Sequence, residues 1–291
     1  MKESKNIITR FIQQFSKKNL PNYIYSIILF LRFRNKFKRS INRSKSSIHY
    51  SKNLDKINSY EFKISSQNNE DGIIEYIFNK IPNNKTFFEI GISYYEFNSL
   101  NLIRNKWTGL LVEKNSEECL VLRKLLNFYF PKSNIKILNS SVDKENIKNL
   151  ILGNLNGNYI DFFSIDIDGN DYWILKNIDL KNISCVCLEY NHWLGPNKKK
   201  SIPYNEKHNY IDNGYFGASL LAYTELMDQK GFKLISVESS GTNAFFINNK
   251  FSDLFEVLDP IKSFKSVGRL YSEEKKTKIF KDIKSFNFTD V

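Results

Sequence analysis

The stretches FFEIGI at residues 87–92 and DFFSIDIDGND at residues 161–171 decide the fold that we expect. Each is a short apolar run that ends in carboxylates and glycine. Such runs between turn-forming residues are typical of parallel strands that are buried on both faces. Ligands of parallel sheets bind just beyond the carboxyl ends of the strands. Acidic residues at two such ends therefore predict a site for a cationic or hydroxyl-rich small molecule.

Strand and helix patterns alternate outward from these two stretches, as they do in βαβ units. A helix pattern over residues 218–230 and an antiparallel hairpin over 232–238 and 244–248 close the series. The predicted fold is α/β, a doubly wound, mostly parallel, seven-stranded Rossmann-like sheet with a C-terminal antiparallel hairpin. The parallel strands are predicted at 86–92, 108–113, 135–139, 159–166 and 184–190, with helices after the first four.

The positive charge of the chain lies at its N-terminus. The 291 residues carry a formal net charge of +12, and residues 1–53 contain thirteen Lys or Arg and one acid. This basic, aromatic arm is expected to bind an anionic membrane surface or an acidic partner, or to be a structural extension docked on the body; nucleic acid is the least favoured ligand. The other predicted boundaries are a linker at 54–68, an α/β domain at 69–250 and a charged helical tail at 251–291.

Cysteine usage and hydropathy indicate the compartment. Cys185 and Cys187 lie two apart on one predicted strand, which disfavours a disulfide, and no ligand-spaced His/Cys set accompanies them. The longest apolar run, at 23–31, has nine residues, against the roughly 18–20 that a membrane span needs. We expect a cytoplasmic protein that can attach peripherally to the inner membrane face through its arm.

The first two strands end in candidate ligand-binding residues. Glu89 can take an ammonium group and Gly91 allows close backbone approach, although a simple strand-to-helix turn explains the same pattern. Glu113 ends the second strand, where an acid commonly accepts ribose hydroxyls. A dinucleotide G-x-G-x-x-G pattern is absent, which disfavours NAD and FAD.

Asp166, Asp168 and Asp171 place three carboxylates within six residues after the fourth strand. These charges repel one another unless a cation or hydrogen-bond donors compensate them. A sulfonium or ammonium partner, a hard metal ion such as Mg²⁺ or Ca²⁺, and general-base chemistry all remain open. Asp168 or Asn170 can in addition cap the helix that follows.

Glu189, Asn191 and His192 follow the fifth strand, which is expected to lie next to the fourth. The order of a parallel sheet predicts that they face the same cleft as Asp166. His192 is one of three histidines and is a candidate base, although a lone histidine more often has a structural role.

These motifs resemble those of FkbM-like methyltransferases, in the branch often associated with surface-polysaccharide synthesis. The resemblance covers about residues 70–250. In that family an Asp-x-Glu-Gly-x-Glu run is common after strand four, and here Asp168 and Asp171 replace the glutamates. The motifs that carry it are FEIG at 88–91, GLLVE at 109–113, SIDIDGNDY at 164–172, LEYN at 188–191, GASL at 217–220 and GTNAFF at 241–246.

The resemblance implies an O-methyltransferase that uses S-adenosylmethionine (SAM) and acts on a sugar hydroxyl of a surface glycan or lipid-linked saccharide. It also implies roles for individual residues. Glu89 and Gly91 hold the methionine end of the cofactor, Glu113 the ribose, and Ser141 with Val142 the adenine edge, and Asp166 lies near the methyl donor. The candidate bases are Asp166, Asp168 and His192, and the candidate substrate contacts are Asp171, Glu189 and Asn191.

Two other functions stay open on the sequence. One is a non-catalytic scaffold of the same fold in a glycan-assembly complex. The other is a metal-dependent enzyme on an acidic sugar or phosphate, with Asp166, Asp168 and Glu189 as oxygen ligands, although a divalent metal is not favoured. Methylation of nucleic-acid amines is disfavoured because the Asn/Asp-Pro-Pro-aromatic run expected for it after strand four is missing.

Overall fold

A mostly parallel sheet forms the centre of the computed structural model, which describes residues 21–42, 56–94, 96–155, 159–266 and 271–291. Within these residues the sheet has seven strands in the order β3-β2-β1-β4-β5-β8-β7. A separate two-stranded sheet pairs β6 with β9. The strands are β1 (Thr86–Ile90), β2 (Thr108–Glu113), β3 (Ile135–Asn139), β4 (Ile160–Ile165), β5 (Ile183–Glu189), β6 (Lys200–Ser201), β7 (Phe232–Val237), β8 (Asn243–Asn248) and β9 (Thr289–Asp290).

The strand directions confirm the predicted fold class. Strands β1 to β5 run parallel, β8 pairs antiparallel with β5, and β7 pairs antiparallel with β8. The register places Glu89 of β1 beside Ser164 of β4, and Glu113 of β2 beside Asn139 of β3. The carboxyl ends of these strands therefore meet at one edge of the sheet, where the sequence predicts the site.

Helices cover both faces of the sheet because successive strand residues point to opposite sides. On β1, Phe87 belongs to one apolar core and Phe88 to the other, and Phe162 and Phe163 of β4 divide in the same way. The α-helices among the described residues are α1 (Asn22–Ile41), α2 (Glu70–Lys80), α3 (Leu100–Arg104), α4 (Ser116–Tyr129), α5 (Ile147–Leu155), α6 (Asp171–Asn177), α7 (Leu220–Gln229), α8 (Pro260–Ser263) and α9 (Glu273–Ile283).

The N-terminal segments pack on the body to a greater extent than the sequence indicates. Helix α1 lies on α4 and α3. Residues 56–68, expected to be a linker, are largely buried, and the Glu61 carboxylate in this segment accepts hydrogen bonds from Ser239 beyond β7. A polar sequence does not reveal such internal pairing. The remainder of the predicted arm and linker, at 1–20 and 43–55, lies outside the described residues.

The C-terminal tail covers the loop between β5 and α7. Ile279 and Ile283 of α9 form a small apolar cluster with Trp193 and Phe216. Cys185 and Cys187 are both buried in the same apolar core, as predicted from their spacing, and are not disulfide-bonded. In the described parts of the chain, no helix is both long and apolar enough to cross a membrane.

Candidate functional site

A cavity of about 480 Å³ opens at the carboxyl ends of β1, β2 and β4. Its volume lies within the range of roughly 300–1,000 Å³ that small-molecule and cofactor sites occupy. Seven of the predicted site residues contribute to its wall: Glu89, Gly91, Glu113, Ser141, Val142, Asp166 and Asp168.

Glu89 and Gly91 shape the end of β1. Gly91 has a φ of +78°, and its N–H donates to the Val112 carbonyl at 3.0 Å. The buried Glu89 carboxylate accepts the backbone N–H groups of Asn98 and Ser99, both at 2.8 Å, at the start of α3. Burial raises the pKa of Glu89 to about 7. Glu89 therefore anchors the loop that closes one side of the cavity and is near half protonation at neutral pH.

Glu113 lies at the end of β2 and is partly exposed. One carboxylate oxygen accepts the Ile92 N–H at 3.2 Å, and the other accepts the Asn115 N–H at 2.7 Å. A carboxylate oxygen has two acceptor positions, so each retains one for a ligand hydroxyl. Ser141 and Val142 lie on the neighbouring cavity wall after β3.

Asp166, Asp168 and Glu189 come together beyond β4 and β5. Each offers a carboxylate oxygen, and these oxygens lie within 4.8 Å of one another. The charge of Asp166 lies close enough to Glu189 to disfavour ionisation of the Glu189 carboxyl group. The structure thus brings Glu189 to the site although it does not contribute to the cavity wall.

Burial and mutual repulsion raise the pKa values of all three carboxyl groups. The pKa values of Asp166 and Glu189 lie well above the usual range because of burial and then the neighbouring carboxylates. Asp168 is exposed, but partial desolvation of its carboxyl group and then the charge of Asp171 raise its pKa to about 6, while Lys114 opposes that shift. With a pKa of about 6, Asp168 is mainly ionised at neutral pH.

Asp171 organises the turn instead of contacting the cavity. Its carboxylate oxygens accept the backbone N–H groups of Ile167 and Gly169, each at 2.9 Å. These bonds fix the 166–170 turn, in which Asp168 has a φ of +56°. Asp171 thus positions the neighbouring carboxylates.

Asn191 and His192 also lie away from the cavity wall. Asn191 is fully buried, donates to the Gly214 and Phe216 carbonyls at 2.9 and 2.7 Å, and accepts the Trp193 N–H at 3.0 Å. His192 is buried against aromatic rings, and neither ring nitrogen has a hydrogen-bond partner among the described residues. Burial lowers the pKa of His192 to about 3.

Residues that the sequence analysis missed line the opposite wall. Glu206 and His208 reach the cavity from the long loop after β5. The loop is held by Asn170, whose side-chain amide donates to the Asn205 carbonyl at 2.8 Å and accepts the Asn205 N–H at 3.1 Å. His208 Nε2 lies 3.1 Å from the Asp168 carbonyl oxygen. Asn98, Ser140 and Asn243 are further polar lining residues that the sequence analysis did not select.

The polar and apolar groups that line the cavity fit SAM. Glu113 retains acceptor positions for ribose hydroxyls, and the carboxylates beyond β4 favour a sulfonium cation. Ile92, Val112 and Val142 supply apolar surface on the side where the resemblance puts the adenine. Glu89 has one acceptor position left for an ammonium group, because its other oxygen already receives two Ser99 donors.

Comparison with known proteins finds solved structures that are only distantly similar to this chain. No protein-family model matches the chain, and no curated protein matches it. The N-terminal domain of EvdMO1 with SAH bound has a TM-score of 0.44 at 11% identity, covering 63% of this chain and 80% of that chain. The magnesium protoporphyrin IX methyltransferase ChlM from Synechocystis PCC 6803, with bound SAM, has a TM-score of 0.41 at 8% identity, covering 79% of this chain and 98% of that chain.

The bifunctional kinase-methyltransferase WbdD has a TM-score of 0.35 at 16% identity, covering 56% of this chain and 34% of that chain. Likenesses this distant carry no conclusion about what the present chain binds or catalyses. Membership of the FkbM-like branch stays a prediction from the motifs.

Proposed function

We propose that this protein is a SAM-dependent O-methyltransferase that acts on a sugar hydroxyl in the synthesis of a surface glycan or lipid-linked saccharide. The observation that carries the proposal is that Glu113, Asp166 and Asp168 line one cavity, with Glu189 beside the two aspartates. Glu113 suits a ribose, and the Asp166–Asp168–Glu189 carboxylates suit a sulfonium beside an acceptor hydroxyl.

The bound cofactor would supply an electrophilic methyl group. Glu113 would accept the ribose hydroxyls, and the loop anchored by Glu89 would hold the methionine end. Positioning of donor and acceptor in line supplies much of the rate of such a transfer. Asp168 is the preferred general base, because its pKa of about 6 leaves it ionised at neutral pH, while burial raises the pKa of Asp166 well above its usual range.

A saccharide acceptor is favoured by the polar character of the remaining wall. Side chains of Asn98, Ser140, Glu206 and Asn243 supply carboxylate, amide and hydroxyl groups there. Such groups can hydrogen-bond to an acceptor that is rich in hydroxyls. Asp171 and Asn191 take part through the turns that they fix.

Calorimetric titration of the full chain with SAM tests the cofactor part of the proposal. Glu113→Gln should weaken binding about tenfold or more, because it removes the charge from hydrogen bonds worth roughly 1.5–3 kcal/mol. Glu274→Gln, on the exposed face of α9, is the matched control and should bind as the wild type does. No heat of binding to the wild-type chain at millimolar SAM would contradict the proposal.

Acceptor chemistry needs a separate measurement. Mixtures of the chain with SAM and nucleotide-linked or lipid-linked sugars should yield a product heavier by one methylene unit in mass spectrometry. SAM binding without transfer to any acceptor would favour the scaffold function.

The three carboxylate oxygens within 4.8 Å also support a metal-dependent enzyme as a second candidate. Transfer that is unaffected by EDTA would exclude this alternative. Transfer that is lost with EDTA and restored by Mg²⁺ would assign the cluster to a metal ion.

A further inference from the structure

Helix α1 is fixed to the body along one face. Tyr25, Leu29 and Phe37 are buried in the apolar core that contains Phe87, and the Phe37 ring lies 5.5 Å from the Tyr129 ring of α4. The Tyr129 hydroxyl donates to the Arg34 carbonyl at 3.0 Å. This docking determines which face of α1 points outward.

The outward face carries an uncovered aliphatic stripe. Ile24, Ile28 and Leu31 are 43%, 41% and 52% exposed, and their spacing of four and three residues places them in one row on the helix. Phe128 of α4, 60% exposed, extends the apolar surface beside Phe30, with 5.6 Å between the ring centroids. Apolar side chains therefore occupy both the inner and the outer face in the first half of α1.

Cationic side chains follow the stripe along the helix. Residues 21–42 contain no Asp or Glu, and the wider segment 1–53 has thirteen Lys or Arg against one acid. An aliphatic row next to exposed cations matches the boundary between anionic headgroups and acyl chains. The phosphates of a nucleic acid would use the charges but would leave the aliphatic row in water. The exposed cations of α1 are Arg32, Arg34, Lys36, Lys38 and Arg39.

We propose that α1 binds the surface of an anionic phospholipid bilayer. The stripe of Ile24, Ile28 and Leu31 enters the headgroup boundary, and the cations that follow contact lipid phosphates. The Phe33 ring lies 4.7 Å from the ring of Tyr94, which belongs to the loop after β1. Ser93, the neighbour of Tyr94 in the chain, lines the cavity. The contact between Phe33 and Tyr94, on the inner face of α1, places the cavity next to the membrane-binding helix, which, if the proposed function holds, suits a lipid-linked acceptor.

Co-sedimentation of the full chain with vesicles tests this proposal without any acceptor or cofactor. We expect binding to phosphatidylcholine vesicles that contain phosphatidylglycerol, and binding at least tenfold weaker to phosphatidylcholine alone. Added salt should weaken the interaction because it screens the charges. Equal binding to both vesicle types, or binding to RNA with none to vesicles, would overturn the proposal.

Two variants separate the contributions of the stripe and the charges. Ile28→Gln with Leu31→Gln should weaken vesicle binding about tenfold, because the exposed aliphatic surface is lost. Arg32→Gln, Lys38→Gln and Arg39→Gln together should weaken it about a hundredfold, at about fivefold per charge.

Lys278→Gln and Lys281→Gln on α9, with Lys284→Gln just after it, remove the same charge elsewhere and serve as the control. An equal loss in this control, or wild-type binding by the stripe variant, would contradict the proposal. Circular dichroism should show unchanged folding of all three variants. SAM affinity measured in solution should not change, so failure of the membrane proposal and failure of the proposed function are distinguishable.

Discussion

A Cβ atom at position 91 would lie 1.5 Å from the carbonyl oxygen of Asp166. The two strand ends approach this closely because the Asp166 N–H donates to the Ile90 carbonyl at 3.0 Å. Glycine after β1 therefore serves contact between strand ends, and not only the approach of a ligand as the sequence analysis expects. The contact also sets where the Asp166 carboxylate stands relative to the loop after β1.

Gly91→Ala should lower the free energy of unfolding by more than about 3 kcal/mol, because the methyl group adds a backbone clash to the strain of a left-handed φ. Gly195 has a similar φ of +76°, but nothing lies within 4 Å of the position where its Cβ would stand. Gly195→Ala should therefore cost only about 1–2 kcal/mol. Urea denaturation measures both values, and equal costs would contradict the role of the close contact.

Asn170→Ala should release the loop that carries Glu206 and His208, because the Asn170 side chain makes two hydrogen bonds to the Asn205 backbone and no helix-capping bond. Two lost hydrogen bonds correspond to about 2 kcal/mol. Trypsin should cleave more rapidly after Lys207, and SAM affinity should fall about tenfold. Asn177→Ala, at the other end of α6, is the control. Unchanged cleavage after Lys207 would show that other contacts hold the loop.

The predictability of the site depends on how local its contacts are. Strands β2 and β3 are predicted with their observed bounds, because buried apolar runs between turn formers are visible in the sequence. The Asn170–Asn205 pair joins residues 35 apart, and the Glu61–Ser239 pair joins residues 178 apart. Polar residues that bind each other at such separations look the same in the sequence as residues that bind a ligand.

The adjacent residues Asn191 and His192 show the same limit. They follow a strand that ends at the site, which makes them candidates, but the loop after β5 directs their side chains into the protein interior. Asn191 joins three backbone groups, and His192 packs among aromatic rings. Proximity in sequence to the end of a strand therefore predicts Glu189 near the site but not the orientation of the residues that follow.

The charge of Asp168 should make the pH dependence of binding differ between SAM and its thioether product, S-adenosylhomocysteine, which lacks the sulfonium charge. The pKa of Asp168 is about 6, so the carboxylate is ionised above that pH and loses its charge as the pH falls through it. SAM affinity should therefore fall more steeply than affinity for the thioether below about pH 6, since protonation of Glu89 affects both ligands alike. Calorimetry at several pH values measures both.

Asp168→Asn should weaken SAM binding about tenfold at pH 8 and remove the pH-dependent difference between SAM and the thioether, because the sulfonium loses a neighbouring charge. His192→Phe should preserve the wild-type profile, since His192 does not line the cavity. An Asp168→Asn variant that retains this pH-dependent difference would assign the titration to another group.

Burial of Glu89 should make the folded state less stable as the pH rises. Its pKa is raised from 4.5 to about 7 by burial, so between these values the folded chain holds a proton that the unfolded chain has lost. Stability therefore falls as the pH rises through this window and levels off above about 7, by up to about 3 kcal/mol for this group. Urea denaturation at pH 5 and pH 8 should show the loss, and Glu89→Gln, which does not titrate, should reduce it. Glu274→Gln should retain the wild-type difference, and an equal pH dependence in wild type and Glu89→Gln would mean that other buried carboxyl groups produce it.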